Sequence, residues 1–593
     1  MKSKLIIILV QTVLSAAAYA ATICTTPSGR YLAVPVENGT PATLLEVFDG
    51  DRRIVRTYMH WAGGTTNWTG SLDLGPVTGR ALRFVFSGKR GQNLSAADLV
   101  FADKPFPAPK GQFDEPWRPQ FHFTPPLGWN NDPNGLSYHN GEWHMFYQHF
   151  PFGVKWNSMH WGHAVSTDLV HWRDVGDALA PDDYGAIFSG SAITDFDGTA
   201  GLGKNVHVLF HTAHNDKRTT QHMAWSRDGR NYVKWPQPVI NACTDANRDP
   251  KVFWYRPGRH WVLVVYGTME GNRHCISVYT SKDLKEWTLA SHIPGDLMEE
   301  GKYLYECPDL FELPIRGETA TRWVLTAANR QYAIGSFDGR TFRPEEERLE
   351  QMIPYEDMMA AYAWQTFADA PDGRRIQIAW CHFNTLKASG GAMFNQGMTL
   401  PVELALVRTK QGLRLAKFPV KELAALRDGD AKPLASFDGE LAEVEFSCRP
   451  GADALVTLDL RGEKIAYSAA RKTLTVRGTA TRWDLDANGS LGLHIFVDRM
   501  GLEIFSMDGL QYLPLPHIVP DPANRRLAWH AQGAKTPVTD TFERAWRLKR
   551  AIGGIDSERR LTQSSITSTM VSMLLQFGQP NCGVMVMPAT SMV

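Results

Sequence analysis

Cysteine is scarce and unpatterned in this chain of 593 residues: seven, at positions 24, 243, 275, 307, 381, 448 and 582, an odd number without close pairs. That spacing excludes a disulfide-framed scaffold and the paired thiolates of a structural zinc site, and leaves mainly buried free thiols with at most one bridge. Charge of one sign is not in excess either, 62 basic residues standing against 62 acidic ones. Such a balance offers no electrostatic footing for nucleic acid or an anionic surface as the main partner. Apolar runs of bilayer-spanning length are missing, so no membrane insertion is expected. The chain opens instead with Lys2 and Lys4, an apolar run over 5–10, and the small-residue pattern Ala18-Tyr19-Ala20-Ala21. This is the pattern of a secretory signal peptide cleaved after Ala20, which places the protein outside the cytoplasm, secreted or periplasmic.

What is present is a long chain, too long for one core, so several domains are expected. Aromatics make up 11% with 19 Trp, which suits a sugar-binding protein and equally a large β core. The central stretch is Gly128-Trp129-Asn130-Asn131-Asp132-Pro133-Asn134-Gly135. Pro133 restricts the backbone of Asp132, and Leu136 and Tyr138 then begin a strand-like run that turns at His139-Asn140-Gly141-Glu142. Alone, Asp-Pro-Asn-Gly is a common turn sequence.

Repetition argues for more. Arg248-Asp249-Pro250 and Glu306-Cys307-Pro308 lead into similar strand–turn–strand runs, as do Phe188-Ser189-Gly190-Ser191 and Tyr362-Ala363-Trp364-Gln365 without the acid. Units starting at 131, 188, 248, 306 and 362 lie 57, 60, 58 and 56 residues apart. A second series keeps the period: Ser166-x-Asp168-Leu169-x-x-Trp172, Ser226-x-Asp228-Gly229-x-x-Tyr232, Ser281-x-Asp283-Leu284-x-x-Trp287 and Ser336-x-Asp338-Gly339-x-x-Phe342. Five repeats of several short strands predict a five-bladed β-propeller. If each unit opens with its innermost strand, Asp132, Asp249 and Glu306 stand at equivalent places around the central channel. Crowded carboxylates push their pKa values apart, dividing them into an ionised nucleophile and a protonated acid, the machinery of glycoside hydrolysis.

These three motifs, in this order, resemble glycoside hydrolase family 32, the β-fructofuranosidases, over roughly residues 117 to 550. The resemblance implies that Asp132 is the nucleophile, Asp249 the transition-state stabiliser and Glu306 the general acid/base. It further implies that Asn131, Gln148, Trp156, Phe188, Ser189 and Arg248 contact the sugar, Trp161 helping to wall the pocket and Arg248 also steadying Asp249. Neither a metal nor an organic cofactor is implied. His144, His149, His160 and His163 resemble a metal cluster in spacing only, and alternating strand faces are expected to separate them. The implied partner is a fructan or fructosyl oligosaccharide: levan first, with inulin or sucrose as alternatives. A non-catalytic propeller lectin would keep the aromatics but need not keep three acids. The Asn-Asp-Pro-Asn-Gly and Glu-Cys-Pro pieces speak against a pentosan hydrolase of the same plan. The sequence departs from the family in the fifth unit, where Cys381-His382-Phe383-Asn384 follows Ile378-Ala379-Trp380 and Ala360 stands in place of an acid. Oligomeric state is left open.

Around the propeller, expected over 117–410, the sequence predicts an all-β protein throughout. A small β module over 22–112 reads as either a carbohydrate-binding piece or a stabilising spacer. Short alternating runs over 418–550 predict a β-sandwich. Residues 555–593, Ser/Thr-rich and then Met-rich, form an extension of unassigned order.

Overall fold

The computed structural model describes residues 20–552 except 76–78, 110, 216–217, 242–245, 296–301, 347, 354–359, 384–392 and 534–536. Residues 1–19 of the expected signal peptide, the tail from 555, Cys243 and Cys582 lie outside the described residues. Cys24, Cys275, Cys307, Cys381 and Cys448 are free thiols, and all but Cys24 are buried. Among the described residues no helix is long and apolar enough to cross a membrane.

Five antiparallel sheets carry the five units in order. Their innermost strands are Gly128–His139, Ala186–Asp195, Arg248–Tyr255, Asp309–Pro314 and Ala361–Thr366, each at the head of a four-stranded path running outward. The fifth sheet ends with the hairpin Val402–Thr409 and Gly412–Pro419, so it runs past the 410 read from the sequence. Closure is made where the first sheet meets the fifth. Tyr138 donates its backbone N–H to Ala368 O and Ala368 returns one to Leu136 O, both at 2.9 Å, while Phe394–Asn395 pairs in parallel with Gly128–Trp129.

Burial patterns explain why these strands read differently from their neighbours in the chain. Middle strands such as Val206–Asn215 and His260–Met269 are buried almost continuously, because each blade is covered on both faces by the next. Strands outside the propeller, such as Thr43–Asp49 up to its bulge at Phe48 and Leu82–Ser87, alternate and bury one face. The repeated Ser-x-Asp turn does the same work in four blades. Asp168, Asp228, Asp283 and Asp338 each accept the backbone N–H groups two and three residues ahead. The next residue is left-handed every time, at φ 66°, 65°, 65° and 90° for Leu169, Gly229, Leu284 and Gly339. Glycine takes that conformation freely, whereas the two leucines are held in it by the turn.

Before the propeller, two sheets of four and three strands form the small module, with Leu32, Val34, Leu45, Val47, Trp68 and Phe86 in its core. After it, sheets of six and five strands enclose a second core including Val444, Phe446, Val456, Ile465 and Ile495. The chain is therefore all-β: a module, a five-bladed propeller and a sandwich. Buried His122 ties the start of the propeller to the sandwich, its Nδ1 at 2.8 Å from Asp498 and its Nε2 at 3.1 Å from Glu503.

Candidate active site

The innermost strands are irregular at one end. Pairing slips between Asn130 and Pro133, Phe188 and Gly190, Arg248 and Lys251, and Tyr362 and Gln365; in the fourth blade the ladder begins only at Asp309, after Glu306-Cys307-Pro308. Such bulges re-aim side chains, and Pro133, Pro250 and Pro308, lacking an N–H, fit them. Backbone strain gathers there, with φ at 68° for Asp249, 57° for Glu306, 40° for Cys307 and 56° for Ala363. Strained backbone is retained where the surroundings over-determine it, often at functional sites.

The bulges form two rings. Asp132, Ser189, Asp249, Cys307 and Ala363 occupy one place in the repeat; Asn131, Phe188, Arg248, Glu306 and Tyr362 occupy the place before it. Asp132 and Asp249 are thus equivalent, but Glu306 is not: Cys307 fills the third acid's expected position and Glu306 stands one residue earlier. The prolines fix this alignment. The rings are knitted across blades. Ser189 donates to Asp132 Oδ2 at 2.7 Å and Asn131 to Asp132 Oδ1 at 3.1 Å. Cys307 N–H donates to Asp249 Oδ2 at 3.0 Å, and its Sγ lies 3.6 Å from both Asp249 Oδ2 and Asp132 Oδ2. The two aspartates therefore lie within twice that distance of each other. Arg248 sends Nε and Nη2 to Glu306 Oε1 at 2.9 and 2.7 Å, and Tyr362 OH donates to Glu306 Oε2 at 2.5 Å.

Electrostatics follow from crowding. Burial raises the Asp132 pKa and Glu306 adds to the rise, against hydrogen bonds from Ser189 and Asn131. Asp249 is pushed up to about 7 by burial and by Glu306 and Asp132, against the pull of Arg248 and the Cys307 N–H. Burial, Asp249 and Asp132 hold the Cys307 thiol protonated, its pKa well above the ordinary value. It is a weak donor between two carboxylates rather than a nucleophile. The arrangement places carboxylates with differing partners at one spot, which is what acid–base and nucleophilic work at a sugar carbon requires.

Other expected contacts are distributed less evenly. Trp156 is 55% exposed, its ring 6.2 Å edge-on from Phe188. Phe188 stacks on His214 at 4.6 Å. Gln148 is buried, donating to Ile187 O at 2.9 Å. Trp161 does not wall the pocket: it is fully buried against Phe146 and donates to Phe188 O at 3.1 Å, because its strand is covered by the second blade. Arg248 binds Glu306 rather than the Asp249 carboxylate, and lies 4.7 Å from the Tyr266 ring centre.

The four histidines are not fully separated. His144 and His163 meet at 3.0 Å, and His149 and His160 both reach Asp177, at 2.6 and 3.1 Å. Strand alternation puts the two pairs on opposite faces, but antiparallel pairing sets His160 directly opposite His149 and His163 diagonally opposite His144. Sequence reasoning passed over Cys307 and Tyr362 as site residues, although the repeat places both in these rings. A cavity of about 510 Å³, with Trp254, Trp323, Asp369 and Arg375 in its wall, lies at the opposite ends of the inner strands and contains none of these acids.

The model of the Glycosyl hydrolases family 32 N-terminal domain matches residues 122–419. A levanase of Bacillus subtilis strain 168 is 36% identical over 481 residues, 72% of this chain and 69% of its own. A levanase of Bacillus sp. strain L7 is 29% identical over 78% of this chain and 56% of its own. An extracellular exo-inulinase of Aspergillus niger is 36% identical over 40% of this chain and 51% of its own. Among solved structures, an exo-inulinase from Aspergillus awamori shares the fold at TM-score 0.65 and 24% identity, covering 74% of this chain and 99% of that one. Fructan 1-exohydrolase IIa from Cichorium intybus does so at TM-score 0.61 and 22% identity, covering 74% and 98%. With the family model matched across the whole propeller and a levanase matched over most of both chains, this protein belongs to glycosyl hydrolase family 32.

Proposed function

We propose that this protein is a secreted hydrolase of β-fructans, levan foremost, releasing fructose by double displacement with retention. The observation that carries it is the acid cluster: Asp132 and Asp249 share the Cys307 thiol at 3.6 Å each, with Glu306 on the adjoining residue. Two levanases align over most of this chain and the exo-inulinase over two fifths of it, which favours levan over inulin and sucrose.

In the first half-reaction Glu306 protonates the leaving oxygen while Asp132 attacks the anomeric carbon, giving a fructosyl ester. Glu306 then draws a proton from water, which opens the ester and frees fructose. Asp249 accepts hydrogen bonds from sugar hydroxyls, contacts that strengthen as positive charge develops. Trp156 and Phe188 offer an aromatic wall, Gln148 and Asn131 polar edges. Arg248 and Tyr362 fix the Glu306 carboxyl from both oxygens. The chemistry, as written, runs on carboxyl groups alone.

A panel of levan, inulin and sucrose, with products separated by size and the first-formed anomer followed by NMR, tests this reading. Fructose alone from levan, β anomer first, is expected. Longer fragments would overturn end-wise action, and α anomer first would overturn retention.

Ser189→Ala gives a sharper check on Asp132. The hydroxyl donates to the ionised carboxylate, so losing it raises the Asp132 pKa further. The acidic limb of the kcat/KM profile should therefore move to higher pH with the basic limb unchanged. An unmoved acidic limb would detach that limb from Asp132.

A further inference from the structure

The small N-terminal module is too deeply joined to the first blade to be a spacer. Its apolar core is continuous with Phe150, Phe152, Val154 and Met159, with Trp129 packed against the same cluster. These residues bracket the connection 151–159 between the second and third strands of the first blade, and that connection carries Trp156. Polar contacts pin it from the module side. Trp68 donates its indole N–H to Pro151 O at 3.1 Å, His60 its backbone N–H to Phe152 O at 3.1 Å, and Thr57 Oγ1 lies 3.0 Å from His160 Nε2. The fit is close enough to require glycine on both sides. A Cβ on Gly70 would stand 2.9 Å from the Phe152 ring, and one on Gly153 would stand 2.4 Å from the His60 ring.

Two routes lead from this seam to the reacting centre. Along the first, Met159 O accepts the Ile187 N–H at 2.9 Å, next to Phe188, whose ring faces Trp156. Along the second, the Trp129 indole donates to Asn131 Oδ1 at 2.8 Å, and Asn131 donates to Asp132. On the reading that Trp156 and Asn131 face substrate, we infer that the N-terminal module is a structural wall of the sugar pocket, with Trp68 and His60 as positioning residues that hold the Trp156 connection in place. Its core is spent on the first blade, so the alternative of an independently acting sugar-binding piece is not needed to explain it.

Trp68→Phe removes the donor to Pro151 O while keeping a ring in the core, and His60→Ala opens the space over Gly153. Arg30→Ala is the control: it breaks the ion pair with Asp73, 2.7 Å, at the far end of the Trp68–Asp73 strand and touches no part of the connection. Hydrogen exchange of the full-length protein is read on peptides spanning 150–160, alongside KM and kcat on the fructan that the wild type cleaves. Both seam variants are expected to exchange faster over 150–160, and to raise KM about three- to tenfold with kcat within about twofold, since displacement of a binding wall costs uniform binding. The control should leave both readouts at wild-type values even if its thermal midpoint falls. Unchanged exchange in the seam variants would overturn the inference, and so would faster exchange with KM unmoved, or a control that raises KM equally. If the wild type cleaves no fructan, the proposed function fails, and the exchange of 150–160 still decides whether the module holds the connection.

Discussion

Asp132→Ala and Glu306→Ala are each expected to cut turnover on levan by about a thousandfold or more, because each group serves both half-reactions and groups acting as a unit fail together. The fold should survive. Asp132 sits where burial and Glu306 already disfavour its charge, so its removal relieves repulsion and leaves unmade the Ser189 and Asn131 hydrogen bonds and the weak Cys307 thiol contact. Near-identical circular dichroism and thermal midpoints would establish that point. The two variants should then part company. With an activated fructoside whose leaving group needs no proton, Glu306→Ala should form the fructosyl ester and stall, and added azide, needing no general base, should restore turnover. Asp132→Ala has no ester to release and should stay inactive. Rescue of Asp132→Ala without rescue of Glu306→Ala would exchange the two roles; near-normal turnover in either would remove that residue from the mechanism.

A steep loss of stability between pH 6.5 and 5 is the second large effect expected. Four histidines at the junction of the first and second blades, His139, His144, His163 and His207, are all buried. His139 and His207 stack at 4.6 Å, His207 is hydrogen-bonded to Ser137 and Tyr232 at 2.8 and 2.7 Å, and His139 to Thr194 at 3.0 Å. Arg230, which pairs with Glu142, is the cation whose charge acts on all four. Burial lowers the pKa of every member, and Arg230 or the other histidines lower it further; His144 falls to about 3. In the unfolded chain these imidazoles take protons near pH 6.5, whereas in the folded protein they stay neutral well below that. The unfolded state therefore binds more protons in this window, and stability falls with pH by up to about 1.4 kcal/mol per unit for each histidine. Four together could remove several kcal/mol by about pH 5, a large share of an ordinary domain's stability. His122, raised to about 9 between Asp498 and Glu503, is charged throughout in the folded protein and offsets the slope only near pH 6.5, whereas Asp249, raised to about 7, takes up a proton in the folded protein alone across this window and offsets about one histidine. Denaturant unfolding measured at each pH checks this, and His163→Gln should flatten the slope by about one proton. A stability flat from pH 7 to 5 would show that these rings are protonated without unfolding.

Much of the site was legible because it is written locally. An acid one or two residues before proline, repeated at blade spacing, marks a bulge and the groups at it. Asp132, Asp249, Glu306, Ser189 and Phe188 were accordingly readable as one end of a ring. The Ser-x-Asp turns were readable for the same reason, since the Asp binds only backbone two and three residues away. Gln148 and Trp161 were harder. Both stand in a row of aromatics and amides, and both bind main chain of the second blade, a neighbour chosen by the ring and not by the strand they occupy. Tyr362 went unread because its blade lacks an acid, and only its contact with Glu306 gives it work.

The sequence by itself determined the all-β architecture, the count of five blades and the three acids, because alternation, turn chemistry and the proline-marked bulges act over a few residues and then recur. Tertiary structure decided the rest. Closure between Leu136, Tyr138 and Ala368 is what brings residues from blades far apart in the chain to one mouth. It sets Cys307 between two aspartates and turns Arg248 toward Glu306. It also lays the N-terminal core against the strands that carry Trp156. Those contacts join elements with no local sequence relation, so the close packing of one sheet on another, rather than any motif, fixed them.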